Sequence, residues 1–496
     1  MRKHVGEEHQ HGREKSELEN LINMKNIYIL LFLCCITSAM AQKISTDYSD
    51  ALHLLDQWIE AERDYKHLPG LSASITKDQE VLWSKAYGLS NVTTKVPTTT
   101  STVYSICSIS KLFTAIAIMQ LYDEGKLRLD DPIETILKDF NLKQQFKDSG
   151  PITIRSLLTH SSGLPRESDY PYWTGPDFPF PSLEKVNSKL KDQQTLYPAS
   201  TYFQYSNLGL TLLGEIVEKV SGKKYNDYVE EKILKPLQLT STHPYLPATE
   251  FGKKMAIGYG ALKRDGSREP VELFDARGIT AAAGFSSTVE DLGRFASWQF
   301  RLMEKGGVEL LQASTLKEMQ RVHWIDPDWT TSWGLGFSVS KQGNNTLVGH
   351  GGACPGYRTT LQLDPKEKMA YSVMINAGGE SPEFFTKEIH ELISKIPKEK
   401  QLIKEGVDLT KFAGIYSQQP WGSELLITPW YGELAMLSFP STNPDEDMTM
   451  LRHVEGNTFK RVRSDKTLGE EIVFDTDASG KVVRMRRHSN YSAKVK

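Results

Sequence analysis

Three observations in this sequence predict an α+β domain followed by a small antiparallel β-barrel-like domain. A strand-like stretch bounded by glycines, "GLSASITKDQEVLWSKAYG", lies near residue 70, and strand-like runs return only after residue 330, as "GLGFSVS", "NTLVGHGG", "TTLQLDP" and "MAYSVMINA". Between them the pattern is helical and loop-like, so the terminal segments are expected to share an antiparallel sheet beside an all-helical part. After a charged linker over 397–407 the texture changes to short alternating runs split by Gly, Asn, Asp and Pro, the pattern of a small barrel or sandwich over 408–496.

Taken in order, residues 1–23 are almost wholly polar, and "MKNIYILLFLCCITSAMAQ" follows. Lys25 gives a short basic region, Ile27–Ile36 a ten-residue apolar stretch, and Ala39-Met40-Ala41 a small-x-small cleavage pattern. That stretch is too short to span a membrane comfortably. It predicts a signal peptide over 24–41, cleaved near Ala41, with translation starting at Met24 and 1–23 an upstream extension. The mature chain is then periplasmic or secreted and keeps no stable membrane span. The α+β domain is expected over 45–396. It opens with the amphipathic helix "ALHLLDQWIEAERDYKH". A buried helix runs from Ser108 to Glu124, stopped by Gly125, and "LGLTLLGEIVEKVSG" is another helix ending at a glycine. Helix "SPEFFTKEIHELISKI" closes the domain.

A chain of 496 residues is long enough for a substantial core. With 62 acidic against 59 basic residues, nothing favours nucleic acid or an anionic membrane surface as partner. A small-molecule or peptide substrate is the expected partner. The chain has no G-x-S-x-G elbow and no H-E-x-x-H, and it implies no metal and no organic cofactor.

The chemistry concentrates in three places. The first is Ser108 with Lys111 in "YSICSISKLFT". Residues three apart on a helix share a face, so Lys111 reaches the Ser108 hydroxyl. A lysine buried among apolar neighbours loses its proton more readily and can then activate a serine. The spacing alone selects nothing, since it recurs at Ser74/Lys77 and Ser314/Lys317, for example. What distinguishes Ser108 is the apolar helix behind it. The second place is Tyr205-x-Asn207 in "FQYSNLG", a phenol and an amide on one side of an extended segment. A nearby cation is expected to lower the phenol pKa and make it a base. The third is His350-Gly351-Gly352 in "LVGHGGACPGY", where glycines let a substrate backbone approach a strand. Residues 164–200 are dense in Pro and aromatics, and Tyr172 and Trp173 are candidates for an aromatic wall or lid.

Together, and in this order, the three sets resemble the serine β-lactamase and penicillin-binding-protein superfamily. They look like its class C-like branch of β-lactamases, DD-peptidases, D-aminopeptidases and esterases. "YDEGKLRLDDPI", "ITIRSLLTHSSGLP" and "AAAGFSSTVEDLGRFA" look like that branch too, so the resemblance covers roughly residues 50–395. The tail from about 408 is similar to the lipocalin-like C-terminal domain of some of these hydrolases. The resemblance implies a β-lactamase/DD-peptidase-like domain in which Ser108 is acylated. Lys111 and Tyr205 move protons, and Asn207 orients Lys111 and a substrate amide. Backbone N–H groups of Ser108 and Ala353 would form the oxyanion hole, with Gly351 and Gly352 along the substrate. His350 stands where β-lactamases of this branch carry lysine. A histidine is mostly neutral at pH 7, which favours a peptidase or esterase over a dedicated β-lactamase. The resemblance also places Cys107 beside Cys354 and implies a disulfide between them, suited to an exported protein. Two rival functions stay open: a β-lactamase, and a ligand-sensing relative that acylates slowly or not at all.

Overall fold

The computed structural model describes residues 46–397 and 407–496; the expected leader over 24–41, the stretch before it and residues 398–406 of the linker lie outside the described residues. The amphipathic opening helix is α1 (Ser49–Tyr65), with Leu54, Leu55, Trp58 and Ile59 on its buried face. Strands β1 (Gly70–Lys77), β2 (Glu80–Asn91) and β3 (Val96–Pro97) follow, then β4 (Tyr104–Cys107) and helix α2 (Ser110–Asp123). Every α2 residue from Ser110 to Leu121 is buried, as an all-round apolar helix requires. Helix α3 (Asn207–Ser221) starts at Ser206, whose hydroxyl accepts from Gly209 N, and stops at Gly222, held at φ +73°. Short β5 (Phe285–Ser287) pairs with β4, and α4 (Val289–Lys305) comes next.

The returning strands are β6 (Trp324–Ile325), β7 (Ser332–Trp333), β8 (Ser338–Gln342), β9 (Asn345–Cys354), β10 (Tyr357–Asp364) and β11 (Met369–Ile375), before α5 (Pro382–Ser394). The sheet order is β6-β7-β8-β9-β10-β11-β1-β2-β3, so early and late segments do share one antiparallel sheet. Strand β1 lies between β2 and β11 and is buried at seven of its eight positions, because helices cover both faces. Small residues allow this: a Cβ on Gly293 of α4 would lie 2.7 Å from Thr76 Oγ1 of β1. One apolar core fills the helical side around α2, and a second lies between the sheet, α1 and α5.

The tail folds into one eight-stranded antiparallel sheet, a meander from β12 (Gly414–Ser417) through β13 (Glu424–Trp430), β14 (Glu433–Phe439), β15 (Thr449–Glu455), β16 (Thr458–Val462), β17 (Leu468–Thr476) and β18 (Val482–Arg487) to β19 (Asn490–Ala493). It nearly closes into a barrel: Ile415 N donates to Lys496 O (2.9 Å) and Val495 N to Ile415 O (2.8 Å). Strand β13 reads as a continuous apolar run because both of its faces are buried. Leu425 and Ile427 face the barrel interior, whereas Leu426 joins the core under α1. Trp58 Nε1 donates to Ser441 O (2.9 Å), and Ser441 N donates to the buried Glu62 (2.8 Å).

Two sequence expectations change. The nucleophile helix begins at Ser110, so Ser108 sits in the turn that precedes it. The aromatic segment 164–200 folds inward instead of forming a lid: Tyr172 and Phe180 are buried in the helical core.

Candidate active site

The turn from β4 into α2 presents the serine. Cys107 adopts φ +50°, a left-handed conformation costly for a residue with a side chain. The chain then tightens: Ile109 N donates to Ile106 O and Lys111 N to Ser108 O, both at 3.0 Å. Cys107 is held by a disulfide to Cys354, at the far end of β9, with a Cα–Cα distance of 5.7 Å. The expected cysteine pair therefore ties the serine turn to the His350 strand.

Lys111 is buried, and its Nζ lies 3.1 Å from Ser108 Oγ, 2.7 Å from Asn207 Oδ1 and 2.8 Å from Ala282 O. Burial holds its pKa well below the ordinary lysine value; the Glu167 charge opposes that shift and Arg166 adds to it. A neutral amine has two N–H groups and one lone pair. Asn207 Oδ1 and Ala282 O can take both hydrogens, which leaves the lone pair for the Ser108 hydroxyl.

Tyr205 hydrogen-bonds Ser108, and its ring centre is 4.9 Å from both Lys111 Nζ and Arg166 Cζ. The expected fall in its pKa does not occur. Burial raises it, outweighing the Ser108 hydrogen bond and the Arg166 charge. Tyr205 is thus a neutral phenol at pH 7, suited to relaying a proton, and Lys111 is the better base. His160 stacks on it, with ring centres 4.3 Å apart, and accepts from Ser206 N through Nδ1 (3.1 Å). Burial keeps His160 neutral, and the charge of Lys111 acts the same way.

His350 lies on the cleft lining with Ser108, Tyr205, Gly351, Gly352 and Ala353. Its Nδ1 bonds Gly351 O. A carbonyl only accepts, so Nδ1 carries the proton and Nε2 presents a lone pair. That Nε2 is buried and has no partner among the described residues. Burial, and then the charge of Lys111, push the His350 pKa down to about 3. Strand β8 pairs with β9 only as far as Gly349, so the β9 edge from His350 onward is left for a substrate. The cleft measures about 590 Å³. A Cβ on Gly351 would lie 2.3 Å from Glu383 Oε1, and one on Gly352 would lie 2.3 Å from Ile106 O. Glu383 can move its carboxylate, but Ile106 O is backbone, so it is Gly352 that lets β9 sit this close to the serine turn.

The structure thus brings together Ser108, Lys111, Tyr205, Asn207, His350, Gly351, Gly352 and Ala353. It does not bring Tyr172 and Trp173 to the cleft wall. Tyr172 is 1% exposed and packs against Trp173 and Phe180, because its ring has more apolar surface to cover in the core. Its hydroxyl donates to Glu167, which also accepts from Asn207 Nδ2. Tyr172 therefore supports the site from behind, through Glu167, Asn207 and Lys111. His160, Arg166 and Glu167 escaped the sequence reading. His160 stood inside "LTHSSGLP" without a role, and nothing local marked Glu167, 40 residues before Asn207.

Comparison with known proteins identifies the fold and the family. The family model described as Beta-lactamase matches residues 55–393. Beta-lactamase-like protein 2 of Dictyostelium discoideum is 27% identical over 426 residues, 82% of this chain and 75% of that protein. Protein flp of Staphylococcus aureus (strain N315) is 27% identical over 341 residues, 67% of this chain but only 64% of its own length, which is under two thirds. Among solved structures, the octameric penicillin-binding protein homologue from Pyrococcus abyssi superposes with TM-score 0.61 at 25% identity, over 89% of this chain and 100% of that one. A D-stereospecific amidohydrolase from Streptomyces sp. shares the fold with TM-score 0.55 at 24% identity, over 66% of this chain and 94% of that one.

Proposed function

This chain belongs to the beta-lactamase family of serine hydrolases, and from that premise we propose that it is an exported enzyme cleaving peptides, including those with D-amino acids, or esters through a Ser108 acyl-enzyme. We assign the hydrolase to residues 45–396, with 408–496 as a second domain; export rests on the apolar stretch Ile27–Ile36. The observation that carries the reading is Lys111, buried and held by Asn207 Oδ1 and Ala282 O with its Nζ 3.1 Å from Ser108 Oγ, where burial favours loss of its proton and so readies it to take the one on Ser108. Lys111 takes the Ser108 proton as Oγ attacks the carbonyl carbon. The negative oxygen of the tetrahedral intermediate lies between the N–H groups of Ser108 and Ala353, each worth roughly 3–4 kcal/mol. Tyr205 passes a proton to the leaving nitrogen or oxygen as its bond to the acyl carbon breaks. Water then attacks the acyl-enzyme, giving its proton up to the same pair, and frees the acid and Ser108.

Preference for a peptide or ester over a β-lactam rests on His350. Its buried ring is neutral at pH 7, so it offers no positive charge to the carboxylate of a β-lactam, where a lysine would. The test is initial rates of the mature protein and of Ser108→Ala on a short-chain p-nitrophenyl ester, a D-alanyl p-nitroanilide and a chromogenic cephalosporin. Ser108-dependent turnover of the ester or anilide with little on the cephalosporin supports the proposal. Fast cephalosporin turnover makes the protein a β-lactamase and refutes the weight given to His350. No Ser108-dependent turnover of any of the three favours a sensing role.

A further inference from the structure

A second cavity lies in the C-terminal barrel, and acyl-enzyme chemistry leaves it unused. One end of the barrel is solid: Phe412, Phe459 and Phe474 pack ring against ring, with centres 4.8 to 5.5 Å apart, and Leu451 completes the fill. The other end opens as a cup of about 690 Å³. Its floor is apolar and buried: Leu425, Met436, Ile472 and Met485.

The wall of the cup carries cations. Arg461 pairs across the sheet with Leu451, and Arg487 pairs with Ile472. Directly opposed residues point to the same side of a sheet, so both arginines face inward with those core residues. Glu470 also lines the cup, and its carboxylate lies 4.0 Å from His488 Nε2 and not against either arginine. No described residue forms an ion pair with either guanidinium. Asp447 lines the cup as well, and its carboxylate accepts from Ser441 Oγ (2.7 Å); hydrogen-bonding groups without charge fill in between, among them Gln418, Asn490 and Ser492. On the lip stands Trp421, 95% exposed, with no other ring stacked on it among the described residues.

We propose that this cup binds a carboxylate-bearing saccharide, a sugar-acid unit of an acidic glycan, and so holds the hydrolase on that polymer. Arginine pairs with a carboxylate through two parallel N–H···O bonds, and here two arginines are free to do so. Amide and hydroxyl side chains match ring hydroxyls as donors and acceptors. The Trp421 ring offers a flat apolar face to the C–H face of a sugar. A fatty acid fits worse, because the packed phenylalanines fill the barrel beneath the floor, so no apolar channel continues inward for an alkyl chain, and most of the wall is polar. The inference does not depend on the assignment of Ser108.

The experiment is isothermal titration of the mature full-length protein with tri-galacturonic acid, maltotriose and dodecanoate in turn. The variants are Arg461→Gln/Arg487→Gln and, separately, Trp421→Ala, each checked by circular dichroism; all three positions are exposed, so the fold is expected to survive. Tri-galacturonate is expected to bind saturably, with a dissociation constant at or below about 1 mM. Maltotriose should bind at least about tenfold more weakly, since it offers the arginines no charge. The double arginine variant should lose at least about tenfold and Trp421→Ala severalfold, while turnover of the p-nitrophenyl ester stays at the wild-type rate. Absence of saturable tri-galacturonate binding overturns the proposal. So does equal binding of maltotriose, undiminished binding by the arginine variant, or dodecanoate binding more tightly than tri-galacturonate.

Discussion

Replacing Gly352 by alanine adds one methyl group, and the structure sets what that methyl does. It would lie 2.3 Å from Ile106 O and 2.3 Å from Thr359 Oγ1, where ordinary contact begins at 3.4 Å. Thr359 can rotate its hydroxyl. Ile106 O is backbone, two residues before Ser108, and cannot. Strands β9 and β4 must therefore separate by about 1 Å at this point, against the disulfide that ties Cys107 to Cys354. That separation pulls Ala353 N–H away from Ser108 N–H, the two proposed oxyanion donors. Loss of one such donor costs about 2.7–4 kcal/mol, so kcat should fall roughly 100-fold or more while KM changes little. The assay is steady-state hydrolysis of a short-chain p-nitrophenyl ester, with circular dichroism to confirm the fold. Gly150→Ala is the control, because a Cβ there meets nothing within 4 Å. A folded Gly352→Ala enzyme with kcat within about twofold of wild type, under 0.5 kcal/mol, refutes the assignment of the oxyanion hole.

Three further outcomes follow from the same geometry. Glu167→Gln removes the charge that opposes the fall in the Lys111 pKa, so that pKa drops further and the acid limb of kcat/KM moves to lower pH. The plateau should fall roughly tenfold as Asn207 loses a charged acceptor, and a limb that stays in place counts against Lys111 as the titrating base. For His350 the folded pKa is about 3 against about 6.5 unfolded, so above pH 6.5 neither state is protonated and pH has no effect. Below that, the unfolded chain takes up a proton that the folded protein refuses, and stability falls by about 1.4 kcal/mol per pH unit down to about pH 3. Urea unfolding at pH 6.5 and 5 should show about 1.6 kcal/mol less pH-dependent loss in His350→Gln than in wild type, and equal losses would contradict a buried neutral histidine. Finally, the disulfide spans 247 residues, for which loop-closure entropy sets a ceiling of about 5.5 kcal/mol. Cys107→Ser/Cys354→Ser should melt several degrees lower than wild type and be indifferent to reductant, whereas recovery of both cysteines as free thiols in non-reducing peptide maps of wild type would remove the basis for this.

Much of the site was legible in the sequence because its parts are local. Ser108 and Lys111 lie one helical turn apart, Tyr205 and Asn207 two residues apart, and His350 to Ala353 run along one strand. Each set carries its own spacing, and the three together leave other hydrolase types little support. The early and late strands were legible for a similar reason, as alternation and glycine boundaries are written into short segments. Only the tertiary structure decided which way each group titrates. Tyr205 has a cation beside it, as expected, yet its pKa rises, because burial depends on what packs above it and that comes from His160 and Trp333 at distant positions. Tyr172 left the cleft for the core for the same reason, since an aromatic loop residue can cover apolar surface on either side and the sequence does not say which. Glu167 behind Asn207, and the inward arginines of the barrel, likewise depend on register and packing across strands and helices. Sequence alone determined which reactive groups this chain carries and in what order; the fold decided which of them meet at one cleft and, through burial, which way their pKa values move.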